Sequence, residues 1–475
     1  MNQLKSHEPD PGPAPAALPG KLSETLRAEL IEFRRDLHMH PELGKQEFRT
    51  TAVLKARLEA AGLHPRVLPG GTGLVCDIGG FVGVVGGMDG VDGMDGDGGS
   101  DDKEPGGDGK IGGDGKIGGD GKRGGGNDGD HREGSTPRAG GAAGDGLGRE
   151  RRPVLAIRAD IDALPIPDTK TVPYRSTEPG RAHACGHDVH TTVALGAGLV
   201  LAALDREGRL PAPVRLIFQP AEEVLPGGAT DAVEAGVLDG VGRIIAVHCD
   251  PKVDAGRIGL RHGPITSACD RLEVTLSGGG GHTARPHLTT DLVTAAARVA
   301  VDVPAVVGRR IDARSGLSVT WGRIESGHAP NVIPQHAELS GTVRCLDLPS
   351  WREAPDLVHA AIDEVAALHR AKSTVDYVRG VPPVVNDPAV ADLLREAMTA
   401  RLGADAVEDT EQSLGGEDFS WYLEHVPGAM ARLGVRAPDE TRVRDLHAGD
   451  FDVDEYAITV GVELFTAAVL LDATA

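Results

Sequence analysis

From residue 154 onward, short apolar segments alternate with longer runs of helical character. The segments LAIRAD, VRLIF and RIIAV predict three strands, because each is a short apolar run. The runs at 189–204 and 229–235 predict helices between these strands. Such an alternation is typical of a βαβ sheet that is covered by helices on both faces.

The upstream part of the chain also carries periodic segments. Apolar residues recur at helical spacing over 22–37, and the pattern stops before Pro41, which disfavours continuation of a helix. A second helical run covers Val53–Ala61. The segments Leu74–Ile78 and Val154–Ala159 predict strands on either side of a glycine-rich stretch.

The pattern changes near residue 270, where Leu272, Val274 and Leu276 alternate with polar neighbours as in a half-buried strand. A helix, two strands, a long helix and a last strand are predicted to follow at 291–301, 317–325, 337–345, 351–371 and 374–379. The resulting order β-α-β-β-α-β matches a ferredoxin-like split βαβ unit. We therefore expect a second domain at 265–380, inserted into a first domain that comprises 21–264 and 381–475.

Two segments have compositions that argue against a packed structure. Residues 86–148 hold 26 of the chain's 66 glycines, with 14 acidic and 7 basic residues. The small amount of apolar surface in this segment cannot offset the entropy lost on ordering, and we therefore predict a flexible loop extension. We also predict a disordered tail at the Pro-rich residues 1–20. Calcium binding by the Gly/Asp repeats is the alternative, but their six-residue period lacks the apolar position of the nonapeptide calcium repeat.

Composition limits the classes of partner. The 475 residues carry a formal net charge of −22 and no basic run, which argues against nucleic acid and anionic lipid as partners. The longest apolar stretch, Thr191–Leu204, is too short to span a bilayer and predicts a buried core helix. No export signal is visible in the first twenty residues, and the five cysteines form no disulfide framework. We therefore expect a cytoplasmic protein.

Candidate metal ligands occur just before the long helix and after three predicted strands. Cys185 and His187 flank a glycine in HACGHDVH, and a thiolate with an imidazole suits zinc or a similar transition metal. Polar side chains that follow the three strands, where ligand sites of such sheets gather, are Asp160, Asp162, Glu222, Glu223 and His248. Their convergence at strand ends favours a metal centre over isolated structural residues. His447, in a polar loop far downstream, is a further candidate.

Nine ordered motifs resemble one family of hydrolases. They are RRDLHMHPELG, RADIDALP, HACGHDVH, FQPAEE, GGGGHTARPH, NVIP, GTVR, GGEDFSWY and LHAGDFDVDE. Together they resemble the amidohydrolase family of hippurate hydrolase, plant indole-acetyl-amino-acid hydrolases and bacterial N-acyl-amino-acid amidohydrolases. This family belongs to the wider aminoacylase/carboxypeptidase group of dinuclear metallopeptidases. The resemblance implies an α/β catalytic domain with a mixed sheet flanked by helices, and an inserted lid and dimerisation domain.

The resemblance also implies roles for individual residues. Cys185 would bridge two divalent metal ions, which could be Mn, Zn, Co or Ni, and the remaining ligands would be His187, Glu223, His248 and His447. Glu222 would be the general base. Asp162 would orient a ligand with support from Asp160.

Three further assignments concern the inserted domain. His282 would reach the active site of the partner subunit in a homodimer and stabilise the oxyanion, and Asn331 and Arg344 would contact the substrate. A site shared between domains must close, so we expect a hinge near 264–268 and 380–383. The implied substrates are small N-acyl amino acids. A dipeptidase or carboxypeptidase of the same group, and a noncatalytic ligand-binding homologue, remain alternatives.

Overall fold

The computed structural model describes residues 18–80, 154–225 and 227–473. The predicted insertion at 86–148 and most of the predicted tail lie outside these residues. Residues 18–20 of that tail are described, and the Arg401 guanidinium donates hydrogen bonds to the carbonyls of Leu18, at 3.0 Å, and Pro19, at 2.6 Å. Contacts with the fold therefore include residues that the prediction placed in the tail.

Helices and strands alternate through much of the described chain. The described residues form nine α-helices: α1 (Glu24–Met39), α2 (Phe48–Ala60), α3 (His187–Arg206), α4 (Gly228–Glu234), α5 (Leu292–Arg310), α6 (Leu348–Leu368), α7 (Pro388–Leu402), α8 (Ser420–Leu423) and α9 (Tyr456–Asp472). They also form sixteen strands: β1 (Arg66–Val67), β2 (Leu74–Ile78), β3 (Val154–Asp160), β4 (Val214–Gln219), β5 (Val241–Asp254), β6 (Ile258–Leu260), β7 (Gly263–Pro264), β8 (Ala268–Ser277), β9 (Gly281–His282), β10 (Ser318–Ser326), β11 (Val332–Ile333), β12 (His336–Cys345), β13 (Lys372–Val381), β14 (Val385–Asn386), β15 (Val407–Asp409) and β16 (Gly428–Arg436).

The large sheet has eight strands in the order β1-β2-β4-β3-β5-β16-β6-β15. The central strands β4, β3, β5 and β16 are parallel neighbours, whereas β2 and β6 run antiparallel to β4 and β16. The sheet is therefore mixed, as the resemblance implied. Parallel neighbours end at the same edge of a sheet, so this edge collects whatever side chains follow β3 and β4.

Helices cover both faces of the large sheet because its central strands are apolar on both sides. Leu155, Ile157 and Ala159 of β3 pack in the cluster formed with α3 and α9, while Ala156 packs with Phe419 in a cluster on the other face. By length and composition alone α3 could cross a membrane, but 89% of its apolar window is buried inside the fold. It is the core helix that the sequence predicted.

A second sheet contains the antiparallel strands β10-β12-β8-β13. The alternating residues Leu272, Val274 and Leu276 are buried against α5 and α6, which lie on one face of this sheet. The elements β8, α5, β10, β12, α6 and β13 follow one another in the predicted β-α-β-β-α-β order.

The largest differences from the predicted helix boundaries are in α2 and α5. α2 begins at Phe48 rather than Val53, because the Glu42 carboxylate caps its first turn by accepting the N–H groups of Arg49, at 2.9 Å, and Thr50, at 2.7 Å. This cap comes from outside the apolar repeat that carried the prediction. α5 continues to Arg310 instead of ending near residue 301, since Val303 and Val307 extend its buried face past an internal proline.

Candidate metal centre

The centre is built at the edge where β3 and β4 end. Asp160 and Gln219 are the last residues of these two strands and pair with each other in register. The sequence predicted that β5 ends directly before His248. The strand instead continues to Asp254. β5 pairs with β3 as far as Ala246, opposite Arg158. His248 lies two residues further along β5, and Asp160 lies two residues further along β3, so both are at the same edge of the sheet.

The turn between Cys185 and His187 depends on Gly186. This glycine has a left-handed φ of +88°, and a Cβ at its position would lie 2.6 Å from the Cys249 Sγ. Only glycine combines that backbone conformation with such a close approach. The turn brings Cys185 and the first residue of α3 to the same side of the sheet.

Cys185 is shared between two groups of side chains. Its Sγ lies 3.5 Å from the His248 Nε2. Within each group the donor atoms lie within 4.8 Å of one another: one group is Cys185, His187 and His248, and the other is Cys185, Glu223 and His447. In the second group the His447 Nε2 is 3.2 Å from a Glu223 oxygen. The five predicted ligands therefore converge, with the thiol common to both groups.

The donor set fits divalent metal ions. The His187 Nδ1 lies 2.9 Å from the Asp162 carbonyl oxygen and so carries the proton, while the buried Nε2 has no hydrogen-bond partner among the described residues and faces Glu222 and Glu223 at 3.9 Å. A fixed tautomer with a free nitrogen is the arrangement of a metal-binding histidine. Sulfur, nitrogen and oxygen donors together suit zinc and its neighbours in the transition series.

The electrostatics of the centre also favour a cation. Burial alone would lower the pKa of His187, but the carboxylates of Asp160, Asp162 and Glu223 outweigh it and raise this pKa to about 10. Burial and the Glu223 charge hold the pKa of the Cys185 thiol well above its usual value. The raised pKa means that, without a metal ion, His187 binds a second proton whose charge balances the carboxylates. A divalent cation would balance those charges instead, and it would stabilise the thiolate form of Cys185.

Glu222 lies beside the ligand groups. Its side chain is 10% exposed, and burial followed by the charge of Glu417 raises its pKa well above the usual value for a carboxyl group. A carboxylate in this environment binds a proton more readily than one in water. Its position and proton affinity are those of a general base or acid.

Asp160 and Asp162 support the centre through different contacts. Asp162 accepts the Glu223 N–H on Oδ2 at 3.0 Å, in addition to holding His187 through its carbonyl. Asp160 lies 2.7 Å from the His190 Nδ1, and the His190 Nε2 accepts the N–H of Cys249 at 2.8 Å. Asp162 therefore touches two ligand residues. Asp160 lies 3.7 Å from the His187 Nε2 and also contacts, through His190, the strand that carries His248.

A buried arginine of β3 was missed by sequence reasoning. Arg158 is 1% exposed and donates to Asp160 at 2.7 Å, to Asp418 at 2.7 Å and to the Gln219 side chain at 2.9 Å, and it lies 3.1 Å from Glu417. The motif GGEDFSWY contains two of these partners, but no spacing rule connects it with β3, 260 residues away.

A second missed group anchors the start of α3. The Arg34 guanidinium lies 2.7 Å from the carboxylate of Asp188, and the His38 Nδ1 lies 2.7 Å from the same carboxylate. All three side chains are buried. α1 therefore holds the residue that directly follows His187.

The three candidates of the inserted segment lie on the smaller sheet and its adjoining strands. His282, in β9, is exposed and pairs with Val332 of β11, and the Thr283 N–H donates to the Asn331 carbonyl at 3.2 Å. The Arg344 guanidinium donates to the Leu414 carbonyl at 2.6 Å. Among the described residues, His282 belongs to none of the groups of metal-competent side chains.

A model of peptidase family M20/M25/M40 matches residues 156–471. This chain belongs to that family. A solved structure of a Bacillus subtilis dinuclear metal binding peptidase from the M20 family is 30% identical, covers 95% of this chain and 99% of its own, and has a TM-score of 0.70. These matches confirm the resemblance and the α/β metallopeptidase fold with a mixed sheet flanked by helices. The M20 protein is accordingly a hydrolase of a family that acts on amide bonds.

Two curated relatives of this M20 protein differ in the share of their own length that the alignment covers. The N-acetyl-L-cysteine deacetylase of Bacillus subtilis (strain 168) is 33% identical over 434 residues, which are 91% of this chain and 86% of the relative. A Rhodococcus jostii (strain RHA1) protein, whose name describes a glutamate–cysteine ligase, is 41% identical over 450 residues. Those residues are 95% of this chain, but the chain spans only 47% of that relative.

Replacing Arg158 tests the charge balance behind the centre. We expect Arg158→Met to lower the free energy of unfolding by about 3–5 kcal/mol, because it leaves buried carboxylates without their counter-charge. Arg209→Met is the matched control, since it breaks an exposed pair with Glu207 and should cost about 0–1 kcal/mol. Denaturant unfolding of the purified chains measures both. Equal losses of unfolding free energy in the two variants would contradict the role of Arg158 as the counter-charge of the buried carboxylates.

Proposed function

We propose that this M20 hydrolase is a metal-dependent amidohydrolase that cleaves the amide bond of small N-acyl amino acids. The observation that carries the proposal is the thiol of Cys185, which is shared by two donor groups with the buried Glu222 beside them. The N-acetyl-L-cysteine deacetylase relative supports this substrate class. N-Acetylcysteine and its analogues are therefore the first substrates to examine.

The proposal includes two divalent metal ions for each subunit. Cys185, His187, Glu223, His248 and His447 would hold these ions, and the Cys185 thiol belongs to both groups of donor atoms. When bound, such ions would lower the pKa of a coordinated water molecule and polarise the scissile carbonyl. The donor set accepts manganese, zinc, cobalt or nickel, because affinity alone does not separate these ions and availability often decides.

Glu222 supplies the proton transfers that amide hydrolysis needs. An unactivated amide requires a nucleophile, stabilisation of the oxyanion and a proton for the leaving nitrogen. Glu222 accepts the proton of the attacking water and later delivers it to the nitrogen as the C–N bond breaks. The Asp162 carboxylate accepts the backbone N–H of Glu223, the residue that follows Glu222, and so holds this part of the backbone in place.

A substrate panel separates this activity from its alternatives. The panel contains N-acetyl, N-benzoyl and indole-acetyl amino acids together with dipeptides, each assayed with added manganese, zinc, cobalt or nickel. We expect hydrolysis of N-acyl amino acids. Preferred cleavage of dipeptides would instead make the chain a peptidase of the same family, and failure of every substrate would favour a noncatalytic homologue.

Glu222→Gln tests the general base. We expect kcat to fall by roughly 10²–10⁴-fold, because the amide cannot accept a proton, while the metal content stays at the wild-type level. Glu234→Gln, on the exposed side of α4, is the matched control and should retain activity. Substrate assays combined with elemental analysis measure both quantities. Retained activity in Glu222→Gln would refute its assignment.

Cys185→Ala tests the shared ligand. Removing the thiol that both donor groups share should reduce bound metal to well below the wild-type stoichiometry, since each group loses a member. Cys345→Ala removes another buried thiol, on the smaller sheet, and should leave the metal content unchanged. Elemental analysis of protein purified with excess metal measures the stoichiometry. Unchanged metal in Cys185→Ala would remove this residue from the ligand set.

We also propose that the chain forms a homodimer in which His282 acts in the partner subunit's site, with the smaller sheet serving as lid and dimerisation domain. Its exposure, away from the ligand groups of its own chain, supports this role. His282→Ala and Glu222→Gln should each be nearly inactive. An equimolar mixture of the two should regain roughly a quarter of wild-type activity, because about half of the randomly assembled dimers are mixed and each mixed dimer has one complete site of its two. Absence of recovery in dimers verified by light scattering would contradict the assignment.

A further inference from the structure

The residue before Glu222 has an unusual backbone conformation. Ala221 has a φ of +61°, in the left-handed region that residues with a Cβ avoid. It is 1% exposed and directly follows Pro220, at the end of β4. Such a conformation persists only where the surroundings impose it, and in this chain it sets the direction in which Glu222 and Glu223 leave the strand.

Neighbouring backbone confines this turn. A Cβ at Gly44 would lie 3.2 Å from the Ala221 Cα, and a Cβ at Gly228 would overlap the Pro220 carbonyl oxygen. The Gly228 N–H also donates to the Ala221 carbonyl at 2.9 Å. The turn is therefore packed on several sides, but these contacts leave the N–H group of Ala221 to be satisfied.

Glu47 satisfies that N–H group. Its Oε1 accepts the hydrogen bond from the Ala221 N–H at 2.8 Å, across 174 positions of sequence, and the side chain is buried. Glu47 occupies the N-cap position of α2, yet its side chain makes no capping hydrogen bond to its own helix. An N-cap side chain commonly accepts an N–H group of its own first turn. The Glu42 carboxylate performs that task instead.

A second contact from the same helix reaches the other side of the turn. The Thr51 Oγ1 accepts the N–H of Gly73 at 2.8 Å. A Cβ at Gly73 would lie 2.5 Å from the Pro220 Cδ, so this glycine is pressed against the ring. The start of α2 therefore holds the segment before Glu222 directly, through the hydrogen bond from the Ala221 N–H to Glu47, and indirectly, through Gly73, which packs against Pro220.

The segment after Glu222 is held separately. Asp162 accepts the Glu223 N–H at 3.0 Å. Buried carboxylates thus accept the N–H groups on either side of Glu222, one from α2 and one from the end of β3. A backbone fixed at both neighbours leaves Glu222 little freedom apart from its side-chain torsions.

We propose that Glu47 is a positioning residue, which holds the left-handed turn at Ala221 so that Glu222 and Glu223 face the other metal-competent side chains. The proposal rests on the proposed function only for the roles of those two glutamates. Among the described residues, Glu47 belongs to none of the groups of metal-competent side chains. Its effect passes through the backbone of one turn.

The experiment compares Glu47→Ala, Glu47→Gln, Glu47→Ala/Ala221→Gly and, as matched control, Glu42→Ala. Each full-length chain is titrated with Zn²⁺ in a calorimeter and assayed with N-acetylcysteine. Glu47→Ala should weaken zinc binding or lower kcat by about 10–100-fold, the range for residues that orient metal ligands. Glu47→Gln should stay close to wild type, because its amide oxygen still accepts the hydrogen bond.

Two outcomes separate positioning from general destabilisation. Adding Ala221→Gly to Glu47→Ala should recover part of the loss, since glycine adopts the left-handed conformation without a Cβ clash. Glu42→Ala should lower thermal stability while zinc binding and kcat stay near wild type. The proposal is overturned if Glu42→Ala and Glu47→Ala behave alike, or if glycine restores nothing. Inactivity of the wild type on every substrate would refute the proposed function, while the zinc titrations would still test Glu47.

Discussion

The crowding of carboxylates at one edge of the large sheet is the constraint on which the centre depends. Asp160, Asp162, Glu222, Glu223 and Glu417 are all partly or fully buried there. Buried like charges repel one another strongly unless cations lie close by. Arg158 supplies positive charge to Asp160, Asp418 and Glu417. A bound cation would balance the carboxylates that lie around Cys185.

The same edge is where the backbone adopts unusual conformations. Gly186, Ala221 and His447 all have left-handed φ values, and each is or directly adjoins a candidate ligand or the candidate general base. Parallel strands deliver side chains to the edge, but their regular geometry cannot aim several donors at one point. Sharp turns perform that last adjustment, and the contacts that hold them come from α2, β3 and the loop around residue 447.

The smaller sheet has its own apolar cluster and connects with the centre through polar contacts. Arg344 of β12 binds the carbonyl of Leu414, a few residues before Glu417, and Gln412 donates to the carbonyls of Thr266 and Leu346. Thr266 lies in the segment predicted as a hinge. A movement of the smaller sheet would therefore act on the loop that carries the partners of Arg158.

Sequence alone was sufficient for the elements with strong periodicity. Leu74–Ile78 matches β2, and α3 was predicted from its apolar length. It also identified the side chains that follow β3 and β4, because strand ends and motif residues are local features. Boundaries set by distant groups were missed: α2 starts early because Glu42 caps it, and β5 continues past His248.

Only the tertiary structure decided which distant groups hold the centre in place. Arg158 meets Asp418, Arg34 meets Asp188, and Glu47 meets the Ala221 N–H, each across more than a hundred residues. Chemical type and local spacing identify a candidate ligand, but a partner of this kind is fixed by the packing of separate elements. Sequence thus determined the family and predicted the donor set. The fold decided their geometry, because buried charges and strained turns persist only where distant residues enclose them.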